Sequence, residues 1–130
     1  MRLLLDTHAL LWSFHDAPRL SAAAARALHD AANEKIVSAA TFWEMTIKDA
    51  LGKLQMPEPP DEAMRRVDRE RIATILPIHP AHLRVLRTLP RLREHKDPFD
   101  RMLVSQALSE DLTLVSNDAA LDGYGVRRLW

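Results

Sequence analysis

Short apolar segments alternate with segments of helical periodicity along this chain, and the alternation limits the folds that it can adopt. Apolar runs of this length, bounded by turn residues, fit strands that are buried on both faces. The predicted strands are Arg2–Leu5, Lys35–Ser38, Thr74–Leu76, Leu112–Val115 and Val126–Leu129. Strands that alternate with helices are typical of a parallel sheet covered on both faces. The sequence therefore predicts a three-layer α/β/α fold with a short central parallel sheet of about four to five strands.

Capping residues and prolines give the expected bounds of the helices. Ser, Thr and Asp are favoured N-caps, and Pro is favoured at the first helical position. On these patterns we expect helices over residues 7–14, 21–32, 40–51, 61–71, 80–89 and 98–110, then one helical turn capped by Asn117-Asp118. The expected caps are Asp6 or Thr7, Ser21, Asp61 and Asp97.

Composition excludes several classes of protein. With 130 residues, 47% of them hydrophobic, the chain can bury one core, so we expect a single domain over residues 1–130. It has no cysteine, which excludes disulfide scaffolds, thiolate metal sites and a cysteine nucleophile. Basic and acidic residues balance at 18 each, so nucleic-acid binding requires a local basic patch. The apolar runs fall far short of the ~20 residues of a membrane helix, and we expect a soluble cytoplasmic protein.

Five acidic residues lie where a parallel sheet would bring them together. Asp6 ends the first strand and Asp118 follows the fourth. Glu44 lies on the helix after the second strand, and Asp97 and Asp100 begin the helix before the fourth. Parallel α/β sheets bind ligands beyond the carboxyl ends of their strands. Simpler explanations stay open, because three of these acids sit where N-caps are expected and Glu44 can pair with a lysine one turn on.

Helical phase favours Glu44 and Asp100 for chemistry. The other residues in the row of Glu44 are mostly apolar: Ala40, Ile47 and Leu51. The row of Asp100 is apolar as well: Leu103, Val104 and Ala107. A charge drawn into a core has to be paired, bound to a metal or neutralised. Because Asp97 can instead cap its helix and pair with Arg101, we rank Asp100 above Asp97.

Clustered carboxylates indicate a hard divalent cation. Several carboxylates in one site repel one another, and such a cation relieves the repulsion. Oxygen ligands without cysteine favour Mg²⁺ or Mn²⁺. Zinc is disfavoured, because the six histidines form no H-E-x-x-H pattern and His79 and His82 flank a proline.

Four segments resemble, in order, the motifs of PIN-domain proteins, especially the VapC toxins of bacterial VapBC toxin–antitoxin pairs. The segments are Leu3–Trp12, Ser38–Lys48, Asp97–Ala107 and Leu114–Asp118. The resemblance implies a PIN-like fold with an acidic quartet of Asp6, Glu44, Asp100 and Asp118, and Asp97 is the alternative third acid. It also implies an Mg²⁺- or Mn²⁺-dependent ribonuclease, a small VapB-like antitoxin partner and a homodimer.

In this interpretation Asp6 and Asp100 hold the cation that activates water. Glu44 binds through a water or orients the nucleophile, and Asp118 completes the ligand shell or positions a second ion.

RNA also requires positive charge beside these acids. The segment from Arg84 to Arg101 carries six basic residues against Glu94, Asp97 and Asp100, a local net charge of +3. The candidate phosphate contacts are Arg87, Arg91, Arg93, Lys96 and Arg101. A solvated surface explains the same charges equally well, because no aromatic residues are interleaved with them. Trp12 and Phe14 are assigned to the core or to an interface.

Two other functions are weighed against a nuclease. A phosphotransfer enzyme that uses Asp6 as nucleophile would carry a D-x-D start, and here the second position after Asp6 is His8. A catalytically silent PIN-like module that binds protein or RNA would lack an acid of the quartet. No acid of the quartet is missing, which favours the nuclease.

Overall fold

The computed structural model describes residues 1–54, 56–93 and 95–130. Within these ranges the strands are β1 (Arg2–Leu5), β2 (Glu34–Ser38), β3 (Thr74–Leu76), β4 (Thr113–Val115) and β5 (Arg128–Leu129). The α-helices are α1 (Thr7–His15), α2 (Ala22–His29), α3 (Ala39–Ala50), α4 (Pro60–Arg69), α5 (Pro80–Thr88) and α6 (Pro98–Glu110). Short 3₁₀ segments cover Ala17–Arg19 and Ala119–Tyr124. None of the helices in the described ranges is long and apolar enough to cross a membrane.

The five strands form one parallel sheet in the order β3-β2-β1-β4-β5. On the central strand β1, Leu5 is in register with Val37 of β2 and with Val115 of β4. Asp6 and Ser116 follow directly after Leu5 and Val115, so they lie side by side at the carboxyl edge of the sheet. The predicted parallel α/β fold is therefore confirmed, and an acid, Asp6, directly follows its central strand.

The side chains of β1 alternate between two apolar clusters. Leu3 and Leu5 pack with buried residues of α1, α2, α3 and α4, whereas Leu4 packs with buried residues of α6 and of the end of α5. Leu3 and Leu4 are fully buried. Burial on this scale stabilises the fold by about 2 kcal/mol per leucine. The sheet is the middle of three layers, as the sequence predicts.

Three of the predicted helix caps are confirmed. The side chains of Asp6, Ser21 and Asp97 accept hydrogen bonds from backbone N–H groups at the starts of α1, α2 and α6. Asp118 caps the 3₁₀ segment Ala119–Tyr124 in the same way, as its position after β4 predicts. These local contacts hold three of the candidate acids at defined places before any metal is considered.

Two predicted helix bounds are wrong. Asp61 does not cap α4: Pro60 occupies the first helical position, so Asp61 lies in the first turn and pairs with Arg65 at 3.1 Å. The helix predicted to reach residue 32 ends at His29, because residue 30 leaves the helical region with a ψ of 114°.

Candidate metal centre

Asp6 is a buried carboxylate at the end of the central strand. It is 6% exposed, and its Oδ1 accepts a 2.7 Å hydrogen bond from the backbone N–H of Ala9. Burial raises the pKa of Asp6, while hydrogen bonds from Ser116 and Ala9 oppose that shift. The cap uses one carboxylate oxygen, so capping α1 and binding a cation are compatible roles for this residue.

Glu44 is the second buried carboxylate, 5% exposed on the first half of α3. Its Oε1 accepts a short hydrogen bond from the Thr7 hydroxyl, and its Oε2 lies 2.9 Å from Lys48 Nζ. The ion pair between Glu44 and Lys48, which the sequence suggests as the simpler explanation for this acid, is therefore present. It neutralises part of the charge of Glu44 and fixes the direction of the carboxylate.

The apolar row assigned to Glu44 is wrong for the second half of α3. Ile47 is 38% exposed and Leu51 is 63% exposed. Ala40 of the predicted row is buried, and the other buried residues of the helix beside Glu44 are Thr41, Phe42 and Met45. Burial along α3 stops at Met45, so the rest of the helix extends past the core and carries its apolar residues to the surface.

The third motif places its two acids in different surroundings. Asp97 is exposed, and its Oδ1 accepts from the backbone N–H groups of Phe99 and Asp100 at 2.8 and 3.1 Å. Asp100 is directed inward, with its side chain 30% exposed and its Oδ2 3.2 Å from His95 Nε2. Burial and the charge of Asp97 raise the pKa of Asp100 to about 7, against the opposing effect of His95.

The predicted pairing of Asp97 with Arg101 is wrong. Arg101 Nη1 donates instead to the carbonyl of Pro90 at 2.9 Å and to the hydroxyl of Tyr124 at 3.2 Å. The guanidinium is therefore directed away from the acids, towards the loop before α6.

His95 is the site residue that sequence reasoning misses. It is 7% exposed, and its Nε2 lies 3.2 Å from Asp100 Oδ2 and 3.3 Å from Asp118 Oδ2. One side-chain nitrogen or oxygen atom from each of these three residues lies within 4.8 Å of the other two. The H-K-D-P-F-D context, with the histidine two residues before Asp97, is the sequence feature that could have drawn attention to it.

The structure brings all five candidate acids to the lining of one cavity of about 210 Å³ at the carboxyl edge of the sheet. They are Asp6, Glu44, Asp97, Asp100 and Asp118. The raised pKa values of Asp6 and Asp100 reflect burial and the charges of neighbouring carboxylates. A divalent cation stabilises the ionised forms of such a cluster, and the oxygen-rich donor set fits Mg²⁺ or Mn²⁺.

Four of the five candidate phosphate contacts border a second cavity, of about 460 Å³, which His95 connects to the acids. They are Arg91, Arg93, Lys96 and Arg101. Arg87 lies on α5 and does not line this cavity. Glu94, which enters the predicted charge balance, lies outside the described residues.

Trp12 and Phe14 have different surroundings, although sequence assigned both to the core or an interface. Phe14 packs against the apolar cluster beneath α1. Trp12 is half-buried, lines a cavity of about 480 Å³ that shares Thr7 and Lys48 with the acid-lined cavity, and has the Arg19 guanidinium 4.4 Å from its ring centroid.

Fold and site together define a parallel α/β protein with an acid-lined cavity at the carboxyl edge of its sheet. The model of the PIN domain family matches residues 3–126, so the chain belongs to the PIN domain family. PIN domains are generally nucleases. This confirms the resemblance predicted from the four motifs. No curated protein matches the chain by sequence.

Solved structures of similar fold cover nearly the whole chain. VapBC2 from Rickettsia felis, bound to a DNA fragment from its promoter, matches with a TM-score of 0.71 and 15% identity, covering 99% of this chain and 98% of that one. VapBC-1 from nontypeable Haemophilus influenzae matches with a TM-score of 0.68 and 16% identity, covering 99% and 97%. FitAcB from Neisseria gonorrhoeae matches with a TM-score of 0.65 and 18% identity, covering 98% of this chain and 96% of that one. At these identities the likeness establishes the fold.

Proposed function

We propose that this chain is an Mg²⁺- or Mn²⁺-dependent ribonuclease and the toxin of a toxin–antitoxin pair. The observation that carries the proposal is the convergence of Asp6, Glu44, Asp100 and Asp118 on one cavity at the carboxyl edge of the sheet. Four acids from separate segments of the chain meet there, and a purely capping role does not account for the buried Glu44, which caps no helix.

Asp6, Asp100 and Asp118 are the residues that would hold the cation, and Glu44 lines the same cavity. When bound, a divalent cation lowers the pKa of a coordinated water and neutralises charge on the phosphate oxygens. RNA cleavage needs both effects, because water is a weak nucleophile and the transition state gains negative charge.

The remaining work is done by groups that fix the acids in place. Thr7 and Lys48 each contact one oxygen of Glu44, so this carboxylate is held where it can orient a nucleophilic water. Asp97 caps α6 through Oδ1, and that cap fixes the first turn, from which Asp100 enters the cavity. In this proposal Asp97 positions the helix, and Asp100 is the third acid.

The basic cavity beside His95 is the proposed path of the RNA backbone. Its lining contains Arg91, Arg93, Lys96 and Arg101, and His95, which also lines it, contacts Asp100 of the acid-lined cavity, which is called the acid centre below. Phosphate groups bound there release counterions and bring the next phosphodiester to the acids. Arg87 was a fifth candidate, and its place on α5 makes it a peripheral contact at most.

An exposed apolar stripe on α3 supports the proposal of protein partners. The stripe consists of Trp43 and Ile47, which are 56% and 38% exposed, and of Leu51 directly after the helix, which is 63% exposed. The ring of Trp43 packs edge-on against that of Phe99, with 5.0 Å between the ring centroids. Contiguous exposed apolar residues mark interaction surfaces. The structural neighbours include VapBC and FitAcB, so we propose a VapB-like antitoxin and a second copy of this chain as partners.

The test is cleavage of a panel of total RNA and tRNA by the purified, partner-free chain with Mg²⁺, Mn²⁺ or EDTA. Asp6→Asn and Asp100→Asn remove one candidate ligand each and keep the side-chain shape. The proposal predicts metal-dependent cleavage by the wild type and a loss of at least about a hundredfold in both variants. Asp61→Asn, an exposed acid on α4, is the matched control and retains activity.

Other outcomes separate the alternatives. Loss of cleavage in Asp97→Asn with retention in Asp100→Asn would reverse the assignment of the third acid. RNA binding without cleavage under any metal would favour a catalytically silent PIN-like module that binds protein or RNA.

A further inference from the structure

His95 is a buried polar side chain directed into the acid centre from the loop before α6. Its Nε2 lies 3.2 Å from Asp100 Oδ2 and 3.3 Å from Asp118 Oδ2, and the residue is 7% exposed. None of the roles described above, neither ligand nor phosphate contact, uses this imidazole. Its nitrogen is nevertheless adjacent to two carboxylates that would hold the cation.

The hydroxyl of Tyr124 determines which ring nitrogen of His95 carries a proton. That hydroxyl accepts from Arg101 Nη1 at 3.2 Å and donates to the carbonyl of His95 at 3.3 Å. Its remaining lone pair faces His95 Nδ1 at 3.1 Å, so Nδ1–H is the donor in that contact. In the neutral ring, Nε2 therefore carries the lone pair, and it is directed at Asp100 and Asp118.

We propose that His95 Nε2 is a nitrogen ligand of the cation that Asp100 and Asp118 hold, and that it gives the site a preference for Mn²⁺ over Mg²⁺. This inference rests on the proposed function. Adjacent ligands at about 2.1 Å from an octahedral ion are about 3.0 Å apart. The 3.2 and 3.3 Å separations of Nε2 from the two carboxylate oxygens are close to that value.

The preference follows from the chemistry of the two ions. Mg²⁺ is hard, binds oxygen ligands and gives up its waters reluctantly. Mn²⁺ is a first-row transition metal ion and accepts nitrogen ligands more readily than Mg²⁺ does. Replacing an oxygen ligand by an imidazole therefore lowers the affinity for Mn²⁺ less than the affinity for Mg²⁺. The Tyr124 contact acts as the outer partner that orients a ligating histidine.

The test is pulsed electron paramagnetic resonance of the Mn²⁺-loaded chain, which detects ¹⁴N coupled to the metal. His8 is exposed and lines the acid-lined cavity, so His8→Gln is the matched control for His95→Gln. We expect ¹⁴N modulation in the wild type and in His8→Gln and none in His95→Gln. Competition between the ions should show the Mn²⁺-over-Mg²⁺ preference falling about tenfold in His95→Gln.

Several results would overturn the inference. Mn²⁺ binding without ¹⁴N modulation in the wild type would make His95 only a counter-charge to the acids. If the ¹⁴N modulation were lost in His8→Gln, His8 and not His95 would be the nitrogen ligand. Should His95→Gln fail to fold, ¹⁵N-histidine labelling of His8→Gln decides the matter, because a ¹⁵N signal is then expected from His95. If the wild type bound no Mn²⁺, or if Asp6→Asn bound Mn²⁺ as tightly as the wild type, the proposed metal centre itself would be refuted.

Discussion

Replacing Asp100 by asparagine should stabilise the metal-free chain at neutral pH. The pKa of this carboxyl is raised to about 7 by burial and by the charge of Asp97. A folded-state pKa above the unfolded value means that the folded chain binds the extra proton, so stability falls as pH rises from about 4 through about 7. An asparagine side chain at this position cannot ionise, so the variant escapes this loss.

The magnitude follows from the pKa. Raising the pKa from 3.8 to about 7 weakens the fold by about 4 kcal/mol when the group is fully ionised. The Asp100 side chain is 30% exposed, and solvent screening reduces the effect to about 2 kcal/mol. The variant should therefore exceed the wild type by about 2 kcal/mol in free energy of unfolding at pH 8 in EDTA, with little difference at pH 4.

Urea denaturation followed by circular dichroism at several pH values measures this difference. Asp49→Asn, which removes an exposed acid of α3, is the control variant. Saturating Mg²⁺ should make the wild type the more stable of the two proteins. At a hundredfold excess over Kd the ion stabilises the wild type by about 2.7 kcal/mol, and it binds the variant more weakly because one ligand is missing. A difference between Asp100→Asn and the wild type that is independent of pH would refute the reasoning.

Three further predictions concern other parts of the molecule. Thr7→Val removes the hydroxyl that Glu44 accepts from, so kcat should fall about tenfold with KM for RNA nearly unchanged; an equal rise in KM would mean that Thr7 contacts substrate instead. His82→Leu should cost about 2 kcal/mol in urea denaturation, because His82 is fully buried with its Nε2 2.8 Å from Glu110; a cost near zero would show that the bond contributes nothing net. Leu51→Glu should reduce self-association in light scattering, and an unchanged mass would place any dimer contact elsewhere.

The sheet and its acids could be predicted because the relevant patterns are local. Strand β1 is mostly a short apolar run, and the residue that follows it is the acid that caps α1. Parallel strands then place Asp6 and the residues after β4 at one edge without further information. The ranking of Asp100 above Asp97 also rests on local helical phase, and the structure shows the two side chains directed differently, one inward and one at the cap.

The features that sequence did not predict depend on contacts between distant segments. Whether Ile47 and Leu51 are buried depends on how far α3 extends past the sheet. The periodicity of apolar residues in the sequence gives no information about that length. His95 contacts Asp118, which is far from it in sequence, so no local sequence pattern indicates the contact. Arg101 bonds to Tyr124 rather than to the acid one turn before it, because the 3₁₀ segment after β4 brings that hydroxyl within reach.

The central claim is that the acid centre hydrolyses RNA with a cation-activated water. The most direct measurement is mass spectrometry of the RNA ends formed by the purified chain with Mg²⁺ or Mn²⁺ in ¹⁸O-labelled water. The claim predicts linear phosphate ends that carry one solvent oxygen, absent in EDTA and in Asp6→Asn. Cyclic 2′,3′-phosphate ends without solvent oxygen would contradict it, because the nucleophile would then be the 2′-hydroxyl of the RNA itself.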